Sequence, residues 1–232
     1  MATFDSEFLC IAHRGAMGHA PQNTLAAVSK ALELGAPWIE IDVYWVDGHL
    51  MVFHDERLDD LTNGTGYTSE QSFSRLRSLD VLNSGQGIPT LEEVCELINA
   101  QAGLNIELKG AGTAAPVCEY IAQLLTENWS IEQFLVSSFN HRELQAVKQI
   151  NPSIRLGALH CSLPVDNARF AEQLGAYSLH PSIEFVDQEL VDDAHARGLK
   201  VYVYTVNHPE DILRMRQLGV DGVFTNFPER VL

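Results

Sequence analysis

Apolar positions recur along the chain in two alternating patterns. Short runs that alternate apolar with polar residues, or stay apolar throughout, predict strands; longer stretches with apolar residues three and four apart predict amphipathic helices. Strands are predicted at residues 9–13, 38–45, 50–53, 104–108, 134–138, 155–159, 176–179, 200–206 and 222–225. Helical spacing covers residues 23–34, 90–100, 115–128, 140–150, 166–174, 187–197 and 208–218. Thr90 followed by Glu93 is a capping box at a helix start, and Gly35, Gly198 and Gly219 stand where helices should stop.

Strand and helix alternate, which predicts parallel βα units. With residues 38–53 counted as one unit there are eight strand positions. About eight βα units in one domain is the arithmetic of a TIM (β/α)8 barrel, here a single domain over residues 1–232, with 50–53 as a ninth or accessory strand. Residues 55–89 break the alternation: they are polar and carry Asn63-Gly-Thr-Gly66 and Ser84-Gly-Gln-Gly87. Long loops within compact domains are usually functional, so residues 56–88 are expected to form a small insertion after the second βα unit, with one short helix near 69–79, over the strand ends.

The composition is 46% hydrophobic and 20% charged, enough for a full core. A net charge of −16 offers no basic footprint for nucleic acid. An anionic ligand must then be met by local positive charge, which can include a bound cation. No apolar run approaches the roughly 18 residues of a membrane span, and the acidic N-terminal stretch lacks the basic region of a signal peptide. A cytoplasmic protein without stable membrane association is expected. The four cysteines, Cys10, Cys95, Cys118 and Cys161, have no metal-type spacing and read as buried reduced thiols.

In such a barrel the chemistry sits at the C-terminal strand ends. The polar residues there are His13-Arg14, Glu40, Asp42, His54-Asp55, Glu107, Lys109, Ser137-Ser138, His180, residues 204–207 and Thr225-Asn226. The early strands supply nearly all the charge. Alternation puts Glu40 and Asp42 on one strand face, and Glu107 with Lys109 repeats that spacing on another strand. Three carboxylates in one cavity require a cation or protonation. Oxygen donors without clustered His or Cys favour one hard divalent cation, Mg²⁺ or Ca²⁺, over zinc. Arg14 and Lys109 with that cation make a receptor for a phosphate-like anion. His13 and His54 can act as general base and general acid in displacement at a phosphodiester, in either order. Asp55 is a further ligand, a partner for His54, or the start of the loop. Asn23-Thr24 reads as a helix N-cap. The remaining six histidines outside the strand ends show no partners and read as surface or loop residues. No Gly-x-Ser-x-Gly, Walker loop or Gly-x-Gly-x-x-Gly is present in a matching context.

The same residues resemble the glycerophosphodiester phosphodiesterase family. The matching segments are His13-Arg-Gly15, Pro21-Gln-Asn-Thr24, Glu40-Ile-Asp-Val43, Val52-Phe-His-Asp55, Thr62-Asn-Gly-Thr-Gly66, Ile88-Pro-Thr-Leu-Glu-Glu93, Ile106-Glu-Leu-Lys109, Tyr204-Thr-Val-Asn207 and Gly219-Val-Asp-Gly-Val-Phe-Thr225. They run from the first strand to the last. The resemblance implies a TIM barrel that hydrolyses glycerophosphodiesters, such as glycerophosphocholine or glycerophosphoethanolamine, to sn-glycerol 3-phosphate and an alcohol. It implies that Glu40, Asp42 and Glu107 bind the metal, His13 and His54 form the acid–base pair, and Arg14 and Lys109 hold phosphate. Gln22, Asp60-Leu61, Tyr204 and Asn226 depart from the usual family residues, which bears on substrate preference rather than reaction type. The nearest rival is a lysophospholipase D-like enzyme, for which Phe73, Leu76 and Leu79 would supply an apolar lip. A non-catalytic barrel is the rival from another class; it would be expected to have lost a histidine or a metal ligand.

Overall fold

The computed structural model describes residues 8–232; the acidic N-terminal stretch, residues 1–7, on which the signal-peptide reading rests, lies outside the described residues. The strands are β1 (Leu9–Ala12), β2 (Trp38–Val46), β3 (His49–Val52), β4 (Gly103–Leu108), β5 (Phe134–Ser138), β6 (Arg155–His160), β7 (Ser178–Pro181), β8 (Lys200–Val203) and β9 (Gly222–Thr225). The helices are α1 (Leu25–Glu33), α2 (Phe73–Arg77), α3 (Leu91–Ile98), α4 (Ala114–Leu124), α5 (His141–Ile150), α6 (Arg169–Leu174), α7 (Gln188–Ala196) and α8 (Pro209–Leu218).

Eight parallel strands run in the order β1-β9-β8-β7-β6-β5-β4-β2, and a β1–β2 pairing closes the ring. The fold is the expected TIM barrel. Strand β2 is long because one edge has two partners. Trp38 and Ile39 pair with β1, whereas Val43 to Val46 pair antiparallel with β3. β3 is therefore the accessory strand. Asp47 and Gly48, both with positive φ, form the two-residue turn between them.

Alternation divides each strand between two environments. Ile39, Ile41 and Val43 face the helices and belong to the main core. Trp38 faces the barrel interior, where it packs with Leu9, Ile11, Leu135, Tyr202 and Phe224. Glu40 and Asp42 continue that inward face toward the C-terminal end. The apolar layer thus forms a floor beneath a polar one.

The insertion lies between β3 and α3, so it interrupts the second unit between its strands and its helix. The helix expected near 69–79 is a 3₁₀ turn, Thr68–Glu70, followed by the five-residue α2, which Ser72 caps by accepting from the Arg75 N–H. Leu58, Leu76, Leu79, Val81 and Ile88 pack onto Met51 and Phe53 as a satellite core. Leu76 and Leu79 are buried, and the Phe73 ring stacks on His49 at 3.8 Å. The lip that a lysophospholipid substrate could use is not formed by these residues: Leu76 and Leu79 are packed under the β2–β3 hairpin and Phe73 is partly buried against it. Arg77 clamps the insertion to α3, donating to both Glu93 carboxylate oxygens at 2.7 Å.

Three cysteines are buried as expected, but Cys161 is exposed on the loop after β6. Among the described residues no helix is long and apolar enough to cross a membrane.

Candidate active site

The site starts where β1 ends. Arg14 and Gly15 both take positive φ. A Cβ on Gly15 would sit 2.5 Å from the Ala27 carbonyl carbon, so only glycine permits this close approach to α1. The Gly15 N–H donates to the Glu40 carbonyl at 3.1 Å. That turn directs the Arg14 backbone N–H onto Glu40 Oε2 at 2.9 Å and sets its Nε 3.3 Å from Asp42 Oδ2. Gln22 Oε1 accepts from Arg14 Nη1.

Asn23 is not the helix cap. Thr24 caps α1, while Asn23 donates to Asp42 Oδ2 at 2.8 Å and accepts the Asp42 N–H at 3.2 Å. From β4, Lys109 Nζ donates to Glu107 Oε1 at 2.8 Å and lies 3.7 Å from Asp42 Oδ1. All seven residues assigned from the sequence are therefore brought to the same barrel end.

Carboxylate oxygens of Glu40, Asp42 and Glu107 lie within 4.8 Å of one another. Their charges resolve unequally. Burial, with Asp42 and Glu107 beside it, pushes the Glu40 carboxyl well above its usual range. Burial and Asp42 push Glu107 up to about 7, despite Lys109. Burial also opposes the Asp42 charge, but Arg14, Lys109, His54 and the Asn23 hydrogen bond outweigh it and hold that carboxyl low. Burial works against the Lys109 charge too, yet Glu107 and Asp42 raise its pKa.

Glu40 Oε1 and Asp42 Oδ1 are buried and have no hydrogen-bond partner among the described residues. Orphaned acceptors are costly. A hard divalent cation among these three carboxylates satisfies both oxygens, so the donor set fits one.

The two histidines are held alike. Asn226 Oδ1 accepts from His13 Nδ1 at 2.8 Å, and Asp55 Oδ1 accepts from His54 Nδ1. Among the described residues neither ring's Nε2 has a hydrogen-bond partner, and Asp55 is the hydrogen-bond partner of His54. Burial, then the Arg14 charge, lowers His13 to about 4. Burial also lowers His54, with Arg14 and Lys109 adding to it; Asp42 and the Asp55 hydrogen bond pull the other way.

A cavity of about 230 Å³ opens between these groups. His13, Arg14, Glu40, His54, Glu107 and Lys109 line it, while Asp42 stands fully buried behind. Asn105, Ser137, Leu159 and Phe224 complete the lining on the buried side; Phe139, 45% exposed, and Tyr204 stand edge to face at the wall. Asn23, which the sequence reads as part of a helix N-cap, Asn226, which it names at a strand end without a role, and Asn105 are the site residues that sequence reasoning does not assign to the site. Asn105 precedes Glu107 by two residues on the same strand face, a signal that could have found it.

His180 does not join the site. It is fully buried inside the barrel, bonded to Ser178 at 2.8 Å and packed on Phe224, and burial holds it neutral at about 3. Gly157 leaves room for its ring. Four of the histidines read as partnerless have partners. His19 pairs with Glu229 and His195 with Asp221; His141 and His160 bond backbone carbonyls.

A profile of the glycerophosphoryl diester phosphodiesterase family matches residues 13–230. The chain is 40% identical to a glycerophosphodiester phosphodiesterase of Caldanaerobacter subterraneus subsp. tengcongensis, over 97% of this chain and 96% of the relative. A glycerophosphodiester phosphodiesterase of Bacillus altitudinis is 36% identical over 95% of both chains. Among solved structures, an Oleispira antarctica phosphodiesterase in complex with the product sn-glycerol-3-phosphate superposes with a TM-score of 0.87. It shares 33% identity and covers 96% of this chain and 94% of its own.

Proposed function

The chain belongs to the glycerophosphoryl diester phosphodiesterase family, and from that premise we propose that it hydrolyses glycerophosphodiesters to sn-glycerol 3-phosphate and an alcohol, using one divalent cation, Mg²⁺ or Ca²⁺, and two histidines. Glycerophosphocholine and glycerophosphoethanolamine are the substrates intended. The observation that carries the reading is two histidines, each tied through Nδ1 to an acceptor, lining one cavity with an acidic triad.

Arg14 and Lys109 hold the phosphate oxygens. Glu40, Asp42 and Glu107 would hold a divalent cation, which would supply Lewis-acid charge neutralisation at the phosphoryl group. His13 is neutral at physiological pH and carries its proton on Nδ1, against Asn226. Its Nε2 lone pair takes the proton from the attacking oxygen as that oxygen bonds to phosphorus; where the glycerol hydroxyl attacks first, a second displacement by water opens the cyclic phosphate to glycerol 3-phosphate. On His54 the Asp55 carboxylate at Nδ1 opposes the burial that lowers this imidazole's pKa, and the proton His54 delivers is that of its imidazolium form. Its Nε2 proton goes to the leaving alkoxide as the phosphorus–oxygen bond breaks.

The test is product identity with glycerophosphocholine, with and without EDTA, followed by add-back of Mg²⁺ or Ca²⁺. Glycerol 3-phosphate and choline should appear, vanish on chelation and return with one ion. Turnover indifferent to chelation would overturn the cation; turnover of lysophospholipids alone would replace the substrate class. His13→Ala and His54→Ala should each lower kcat roughly 10²–10⁴-fold, and full activity in either would remove that residue from the acid–base pair.

A further inference from the structure

At the buried side of the cavity stands an amide that the reaction described above does not use. Asn105 is fully buried and lies on the inward face of β4, two residues before Glu107 and in register with Glu40. Its Nδ2 donates to Ser137 Oγ at 2.8 Å. Its Oδ1 is buried without a partner among the described residues. Both residues line the cavity. The neighbouring lining residues on this side, Leu159 and Phe224, bring no donating side chain.

We propose that Asn105, braced by Ser137, forms a hydroxyl-binding subsite at the floor of the cavity and receives a hydroxyl of the substrate's glycerol moiety. This rests on the glycerophosphodiesterase reading and names which end of the substrate enters first. A buried acceptor left open is costly, and a ligand group that pairs with it gains what its absence forfeits. Rotating the amide would leave its NH₂ free instead; a hydroxyl is donor and acceptor at once and matches either atom.

The depth suits glycerol. A strand rises about 3.3 Å per residue, so Asn105 lies roughly 6–7 Å below Glu107 along β4. A glycerol unit whose phosphate is held at the level of Glu107 and Lys109 carries its hydroxyls over that distance. The other ester group then leaves past Phe139 and Tyr204. A site that pairs a ligand hydroxyl in this way discriminates against the same ligand lacking it, because the buried amide is then unpaired.

Binding to cation-loaded protein tests this by calorimetry. The probes are sn-glycerol 3-phosphate, its two deoxy analogues (the phosphates of propane-1,2-diol and propane-1,3-diol) and inorganic phosphate. One deoxy analogue should bind wild type roughly 10- to 100-fold more weakly than glycerol 3-phosphate, the range expected for one unpaired buried polar group. In Asn105→Ala that ratio should fall to near one while inorganic phosphate binds as before. Asn105→Ser, whose hydroxyl is too short to take the place of the amide, is run beside it and should behave the same. Equal binding of all three glycerol-type phosphates by wild type overturns the subsite, as does a deoxy penalty that persists in the folded variants. Failure of the reaction reading is separate: wild type would then not turn over glycerophosphocholine at all.

Discussion

Asn226 offers the sharpest test of the site, because one atom of its side chain changes what His13 can do. The neutral Oδ1 at 2.8 Å accepts the Nδ1 proton without adding charge. Burial and Arg14 then hold His13 at about 4, against an ordinary value of about 6.5. Asn226→Asp places a carboxylate at the same position. Two opposite charges about 4 Å apart attract by roughly 4 kcal/mol at an effective dielectric of 20, equivalent to about three pH units, part of which the carboxylate's own burial takes back. The His13 pKa should therefore rise to roughly 6–7. The sign follows directly: a general base with a raised pKa is protonated earlier as pH falls, so activity is lost at higher pH. The assay is kcat/KM for glycerophosphocholine from about pH 4 to 9 at saturating cation, which keeps the three carboxylates ionised. The acid limb of the wild type should lie at about pH 4 or lower and that of Asn226→Asp at least about two pH units higher, about tenfold down at pH 5.5 and nearly equal at pH 8. Asn226→Ala should instead lower the rate across the range without moving the limb upward, since the tautomer is released but no charge is added. Coincident acid limbs in wild type and Asn226→Asp would refute His13 as the base.

Glu40→Gln removes a proposed cation ligand whose carboxyl burial and its acidic neighbours already push well above the usual range in the cation-free protein. Its cation-free Tm should stay within about 2 °C of wild type, roughly 1 kcal/mol, while the rise in Tm on adding Mg²⁺ or Ca²⁺ should disappear; an undiminished rise would exclude Glu40 as a ligand. Glu107 sits at about 7 in the folded cation-free protein and near 4.3 unfolded. The folded state therefore binds its proton more tightly, and the contribution to stability is lost as pH rises toward 7. Denaturant midpoints of wild type minus Glu107→Gln should fall between about pH 4 and 7 without cation, and a flat difference would contradict the assignment. Gly15→Ala forces a Cβ against Ala27 at a positive φ. It should cost at least about 2 kcal/mol in chemical denaturation; a stability equal to wild type would show that the turn can relax.

Much of this molecule is written in local periodicity. The alternation that puts Ile39, Ile41 and Val43 toward the helices also puts Glu40 and Asp42 into the barrel. Repetition of that pattern at Glu107 and Lys109 was enough to bring the acidic triad and its counter-charges together on paper. The count of about eight βα units matches a barrel, and the β1–β2 pairing closes the ring. Ring closure has consequences that no local pattern carries. It sets the last strand beside the first, and so brings Asn226 to His13 across 213 residues of chain. It sends Asn23 to Asp42 instead of leaving it at the helix start. Burial of an apolar residue likewise depends on what covers it. Leu76 and Leu79 could line an exposed lip by sequence, but the β2–β3 hairpin and the rest of the insertion bury them and half-cover Phe73. His180, at a strand end by sequence, lies below the cavity because Gly157 on the adjacent strand makes room for its ring. Side-chain direction along one strand is a matter of period two, and the sequence determines it. Which groups meet across the barrel is a matter of closure and register, and only the tertiary structure decides it.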